Sequence, residues 1–287
     1  MRHDEWYNIY RHNFYYIGHI DEGEKEGDFD GRPISQYGDT IVDDLFDLQK
    51  DDIETEASVA AIIWMQVAHY LEAAAEKCQL SQINSSLDGL EELDLAAAYW
   101  IGWGQEEGDN SSGHLMYNLA ENAGERFGKD AGEAEVNTKI IDLMNKIQTE
   151  IIIAGKCPTD YLMFRSLVKK IISYMTVPLI QNLIHSMSEK DGGKLVLYGL
   201  TLLPQIATCD PDAYDYFRDK LLIQTYIPAN FNAIIARLQS LFPCFGITCA
   251  DVGAYKTDEL PQCDDSAGSI NALAGFPLTN DIQEVGP

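Results

Sequence analysis

Apolar positions recur three and four apart along most of the chain, which is the spacing of one helix face. Nowhere do they alternate for long enough to make a convincing strand. From Ile53 to Cys78 the stripe is Val59, Ile62, Ile63, Val67, Tyr70 and Leu71. Ser85 to Asp88 reads as a turn, and Glu91 to Trp103 as a second helix, apolar on most sides. Gly102 and Gly104 end that helix, and an acidic loop, Gln105 to Asn110, follows. Ser111 or Ser112 then caps a third helix reaching about Phe127, and Glu133 to Ala154 is a fourth, stopped by Gly155 before Pro158 restarts the chain. Tyr161 to Met187 predicts a long helix kinked at Pro178, and Lys194 to Ala207 a sixth. Asp210, as an N-cap before Pro211, opens a helix over 212–222, and 229–241 completes the set. After Phe242 the texture turns to Pro, Gly, Cys and Asp without a period. The expected fold is an all-α bundle of about eight helices with an irregular cysteine-containing C-terminal tail. Trp64, Tyr99, Trp100 and Leu183 are expected in its core.

Three regions follow from this pattern: an N-terminal extension over 1–50 packing on the body, a helical domain over 51–255, and an irregular tail over 256–287. A weak internal echo links Ile63-Trp64-Met65-Gln66, leading to His69, with Pro178-Leu179-Ile180-Gln181, leading to His185. It reads either as two related helical halves or as coincidence between apolar helices.

Composition narrows the function classes. The 287 residues are 46% apolar and 23% charged, enough to bury a sizeable core. Twenty Lys+Arg stand against 46 Asp+Glu, a formal charge of −26. Phosphate binding draws its affinity from clustered cations, so a nucleic-acid partner is disfavoured, as is adsorption to anionic lipid. An acidic surface suits solubility, an ionic medium or cation capture. No apolar run reaches the roughly 20 residues of a spanning helix; Ala57 to Tyr70 and Leu195 to Ile206 both fall short. Met1 to Glu5 leads into no apolar leader, which fits a cytosolic chain or a mature secreted domain. Asn84-Ser85-Ser86 and Asn110-Ser111-Ser112 are glycosylation sequons in loop-like stretches. Phosphate loops, dinucleotide fingerprints, Cys-x-x-Cys, zincin and nucleophile-elbow motifs are all missing, and the chain reads as a non-enzyme.

Two constellations could hold a metal. His12, Tyr15, Tyr16 and His19 would share one face of a helix, whose bland reading is an aromatic-rich amphipathic element. Inside the bundle, His69, Tyr99, Glu106, Glu107 and Tyr117 supply the imidazole, phenolate and carboxylate donors that suit ferric iron. Arg126, on the same helix as Tyr117, could hold a bridging anion such as carbonate through its planar fork. Here the bland reading is a set of hydrogen-bonded core residues.

Three stretches carry a resemblance. They are Ala96 to Gly102 with His114 to Ala120 and Arg126-Phe127; Met175 to Gln181 with Leu202-Leu203-Pro204 and Cys209-Asp210; and Cys244-Phe245-Gly246-Ile247-Thr248-Cys249-Ala250-Asp251-Val252-Gly253. In order and spacing they resemble the iron-assimilation domain of the algal phytotransferrin family, over roughly residues 55–255. The cysteine motif is the most distinctive. That resemblance implies an extracellular, periplasmic or cell-surface protein that captures ferric iron for uptake, with carbonate as the accompanying anion. It also implies a membrane anchor or surface partner outside these residues. The rival reading is a structural or interaction module of the algal cell surface that keeps the scaffold without its metal site. Export would make Cys78, Cys157, Cys209, Cys244, Cys249 and Cys263 disulfide candidates. At least two bridges are then expected, one of them between Cys244 and Cys249 or involving one of the two.

Overall fold

The computed structural model describes residues 28–33, 36–47, 53–80, 89–106, 109, 111–128, 134–223 and 226–255. Over these the protein is an all-α bundle. Its β content among the described residues is one hairpin, β1 (Asp28–Phe29) against β2 (Arg32–Pro33), closed by left-handed Asp30 and Gly31. The Asp30 carboxylate accepts from Arg32, from Tyr214 at 3.2 Å and from Arg218 at 2.5 Å, which pins the hairpin to a segment more than 180 residues further on.

Helix α1 (Tyr37–Asp47) packs through Tyr37, Ile41 and Leu45. A continuous helical rod follows: α2 (Glu54–Ala57), a π-helical stretch over Ser58–Ile63, then α3 (Trp64–Leu80). Against α3 lies α4 (Leu90–Ile101), brought so close that a Cβ on Gly89 would meet the Ala74 carbonyl at 2.6 Å. Then come α5 (Met116–Arg126) and α6 (Glu135–Lys146), the latter running into a second π stretch over Ile147–Ile152. Helix α7 (Tyr161–Glu189) is buried all round at its centre and packs against α3, α5, α6 and α8 (Gly192–Cys209). Helix α9 (Pro211–Phe217) with a third π stretch (Arg218–Ile223), α10 (Phe231–Gln239), α11 (Phe242–Phe245) and α12 (Cys249–Val252) close the bundle.

Several sequence readings hold. Asp210 caps α9, its carboxylate accepting from Asp212 and Ala213 N–H groups at 2.9 and 3.2 Å. Trp64, Trp100 and Leu183 are buried. Others need correction. Tyr99 is only half-buried, because its ring lies on the exposed flank of α4 and stacks on Tyr70. The third helix starts at Met116, since the Ser112 hydroxyl is already taken by the Glu106 N–H at 2.8 Å. Pro178 lies inside the long helix expected there, α7, which extends two residues further than read, to Glu189. The stretch after Phe242 is not irregular throughout: it holds two short helices, Thr248 and Asp251 form a reciprocal capping box that starts α12, and Phe245, Ile247 and Val252 are buried.

Cys78 bridges Cys157, and Cys209 bridges Cys244. Cys249 is disulfide-bonded as well. At least two bridges were expected, one of them involving Cys244 or Cys249, and Cys244 does take part, with Cys209 as its partner. The left-handed Gly246 ends α11 and the capping box starts α12, so each cysteine leaves on its own short helix.

Candidate functional site

A cleft of about 280 Å³ opens between α2, α5 and α7. One wall is a polar stripe in which His114, Asn118, Asn122 and Arg126 recur every four residues. Residues four apart stack on one helix face, so the stripe runs along α5 from the turn before it. Leu115 and Leu119 floor this wall. The opposite side is Thr55, Glu56 and Val59, where the rod passes into its first π stretch, a distortion frequent at functional sites. Asn182, from the middle of α7, closes the inner end.

Arg126 is the cleft's distinctive group. Its Nη1 donates to the Asn182 amide oxygen at 2.8 Å, and Asn182 is itself fixed by donating to the Pro178 carbonyl at 3.0 Å. Among the described arginines, Arg32, Arg165, Arg218 and Arg237 each pair with a carboxylate. Arg126 does not. A half-buried guanidinium without a carboxylate, in a chain with 46 of them, leaves N–H donors available to an anion.

Glu56 is held from behind. Lys194 Nζ donates to Glu56 Oε2 at 2.6 Å, and the buried Tyr198 hydroxyl donates to Glu56 Oε1. Burial, then the adjacent Glu56 charge, pushes the Tyr198 phenol well above its ordinary range. Below the cleft, His185 Nδ1 and the Tyr255 hydroxyl share a hydrogen bond of 2.7 Å. Burial, then the nearby Arg126 charge, lowers the His185 pKa. Of the side chains that line the cleft, Arg126 and Glu56 stand as cation and carboxylate, and Glu56 is already paired with Lys194.

The candidates read from sequence are scattered by comparison. Tyr99 stacks on Tyr70 with centroids 5.5 Å apart, and His69 packs beside Tyr70 at 5.6 Å, so these three share the α3–α4 flank. Burial and the neighbouring Tyr99 raise the Tyr70 pKa, which works against a phenolate there. Tyr117 is buried, its carbonyl accepting from Asn137. Glu106 is exposed in the loop. None of these lines the cleft; Arg126 alone does. Glu107, Cys263 and the His12, Tyr15, Tyr16, His19 face lie outside the described residues. Among the described residues no group of three or more His, Cys, Asp or Glu side chains is placed to hold a metal ion.

The chain matches no family model, no curated protein and no solved structure. Its chemistry therefore rests on the site itself. Glu56, Asn182, Lys194 and Tyr198 were not singled out in the sequence. The stripe from His114 to Arg126 was visible there as four polar residues at helical spacing, but only Arg126 drew notice.

Proposed function

We propose that this protein is an exported, non-enzymatic capture protein that takes up ferric iron together with carbonate. The observation that carries the reading is the Arg126 guanidinium, exposed to a polar cleft with no carboxylate of its own. Carbonate suits its planar fork. Glu56 and His114, on the same cleft, are a hard and a borderline donor for the metal, and Tyr198 stands behind Glu56. The local charge makes the binding conditional. Ferric iron alone meets the Arg126 charge, which no carboxylate offsets, whereas carbonate at Arg126 offsets it. This moves the metal ligands away from Tyr99, Tyr117, His69, Glu106 and Glu107. Export is supported by the disulfides.

A second reading is an interaction module of the cell surface. It is favoured by Trp103, 96% exposed between two left-handed glycines, Gly102 and Gly104, which hold the indole out on a loop.

The deciding experiment is a ferric titration in moderate salt, with bicarbonate supplied or withheld, followed by visible absorption and bound-metal analysis. One iron per chain, dependent on bicarbonate and retained in Tyr99→Phe and Tyr117→Phe, is expected. No phenolate-to-iron band is expected from Tyr198, because burial and the Glu56 charge favour its protonated form. Weak binding of many ions, screened by salt, would reject the capture reading.

A further inference from the structure

One cation and one carboxylate line the cleft from opposite walls, Arg126 on α5 and Glu56 on α2, and their bonds run away from each other. Arg126 bonds Asn182, while Glu56 bonds Lys194 and Tyr198. Neither is saturated. Arg126 spends one of its five N–H donors, and each Glu56 oxygen accepts one bond where a carboxylate takes about four in all. The Arg126 charge is felt at Tyr198, whose hydroxyl bonds Glu56, so the two groups face each other across a small space. The amides of the stripe are tied up within the chain. Asn118 donates to the Ser112 carbonyl at 2.9 Å, and Asn122 to the Asn118 carbonyl and amide oxygen at 3.0 and 2.9 Å. Aliphatic groups complete the lining, Val59 on the Glu56 side and Leu115 and Leu119 on the Arg126 side.

We propose that this cleft binds a small aliphatic α-amino acid as its zwitterion, the carboxylate on Arg126, the ammonium on Glu56 and the side chain against Val59, Leu115 and Leu119. A volume of about 280 Å³ lies just below the roughly 300 Å³ at which pockets begin to enclose drug-sized ligands, which suits an occupant of this size. A zwitterion is neutral overall, so it escapes the repulsion that a chain of charge −26 exerts on a free anion. The proposal uses the same two charged groups as the iron-capture reading but needs no metal.

The test is calorimetric titration of the metal-free protein with L-leucine, glycine, 4-methylpentanoate and 3-methylbutylamine. The last two keep the leucine side chain and lose one charge each. Saturable, one-to-one leucine binding is expected. Each methylene buried is worth roughly fourfold, so glycine should bind at least tenfold more weakly. Loss of a charge-assisted hydrogen bond predicts at least a tenfold loss for either single-charge analogue, and a ten- to hundredfold loss of leucine affinity in Arg126→Gln and in Glu56→Gln. Leu119→Ala should weaken leucine severalfold. Far-ultraviolet dichroism and thermal melts confirm that each variant folds, and the ligand series on the unaltered protein stands without them. Absence of leucine binding overturns the proposal. So does an analogue that binds as tightly as leucine, or leucine binding indifferent to Arg126 or Glu56. Bicarbonate-dependent iron binding without leucine binding defeats this inference alone. Leucine binding without iron binding supports it and defeats the iron reading alone.

Discussion

Replacing Asn137 by alanine should be one of the costliest single substitutions in the bundle. Asn137, on α6, is 1% exposed and joins three helices. Its amide oxygen accepts from Trp100 Nε1 on α4 at 3.0 Å, while its nitrogen donates to Glu121 Oε1 at 2.7 Å and to the Tyr117 carbonyl at 3.1 Å on α5. Glu121 is equally buried and keeps one other bond, from the Ala134 N–H at 2.9 Å. Alanine would orphan the indole N–H and half of the Glu121 carboxylate. A buried group left unsatisfied costs about 1–3 kcal/mol, more when charged, so the total is about 3–5 kcal/mol. Urea unfolding under non-reducing conditions, followed by far-ultraviolet dichroism, reads this as a lower midpoint at unchanged slope. Asn137→Asp separates the mechanism from simple loss of packing. It keeps an acceptor for Trp100 but sets a second carboxylate against Glu121, raising a carboxyl pKa in the folded state. Stability of this variant should then be greatest in acid and fall as pH rises through that raised value. A cost below about 1 kcal/mol for Asn137→Ala, or an Asn137→Asp variant without this pH dependence, would refute the reasoning.

Three further outcomes follow from the packing. Non-reducing peptide mapping should recover Cys78–Cys157 and Cys209–Cys244, and removing the second pair should cost about 3–4 kcal/mol, because it frees a loop spanned by a sequence separation of 35. A bridge between Cys244 and Cys249 would contradict the C-terminal geometry. Burial works to raise the Asp251 pKa, but Lys139 and Thr248 bond its carboxylate and bring it below the ordinary value, so its contribution is present above the unfolded pKa and lost as pH falls through the folded one. Asp251→Asn should flatten that acid limb of stability. His185 has a folded pKa below 6.5, so the unfolded chain takes the proton first and stability falls as pH drops below that value; His185→Gln should remove this component, and an unchanged slope would speak against burial as its cause.

The helical class was legible because the apolar period is strong and the caps are explicit: Asp210-Pro211 opens a helix in sequence and in structure. The tail was misread because its two four-residue helices are too short to show a period, and only Thr248 with Asp251 signals one. Tyr99 was misplaced because an aromatic in an Ala-rich run is scored apolar whichever side it faces. The site was harder still. Arg126 was picked out as an anion holder, but Glu56, Asn182 and Tyr198 come from helices far apart in sequence, and no local spacing joins them to it. The charge that defines the cleft depends on which cations lack carboxylates. That is a property of the fold and invisible in a count of 46 acids and 20 bases.

Equilibrium dialysis of Arg126→Gln beside the unaltered protein, against ferric iron in moderate salt with isotopically labelled bicarbonate, tests the capture reading most directly. The expected result is one iron and one labelled carbonate per unaltered chain, each requiring the other, and neither retained stoichiometrically by Arg126→Gln. Equal iron uptake by the two proteins, or iron retained without carbonate, would contradict it.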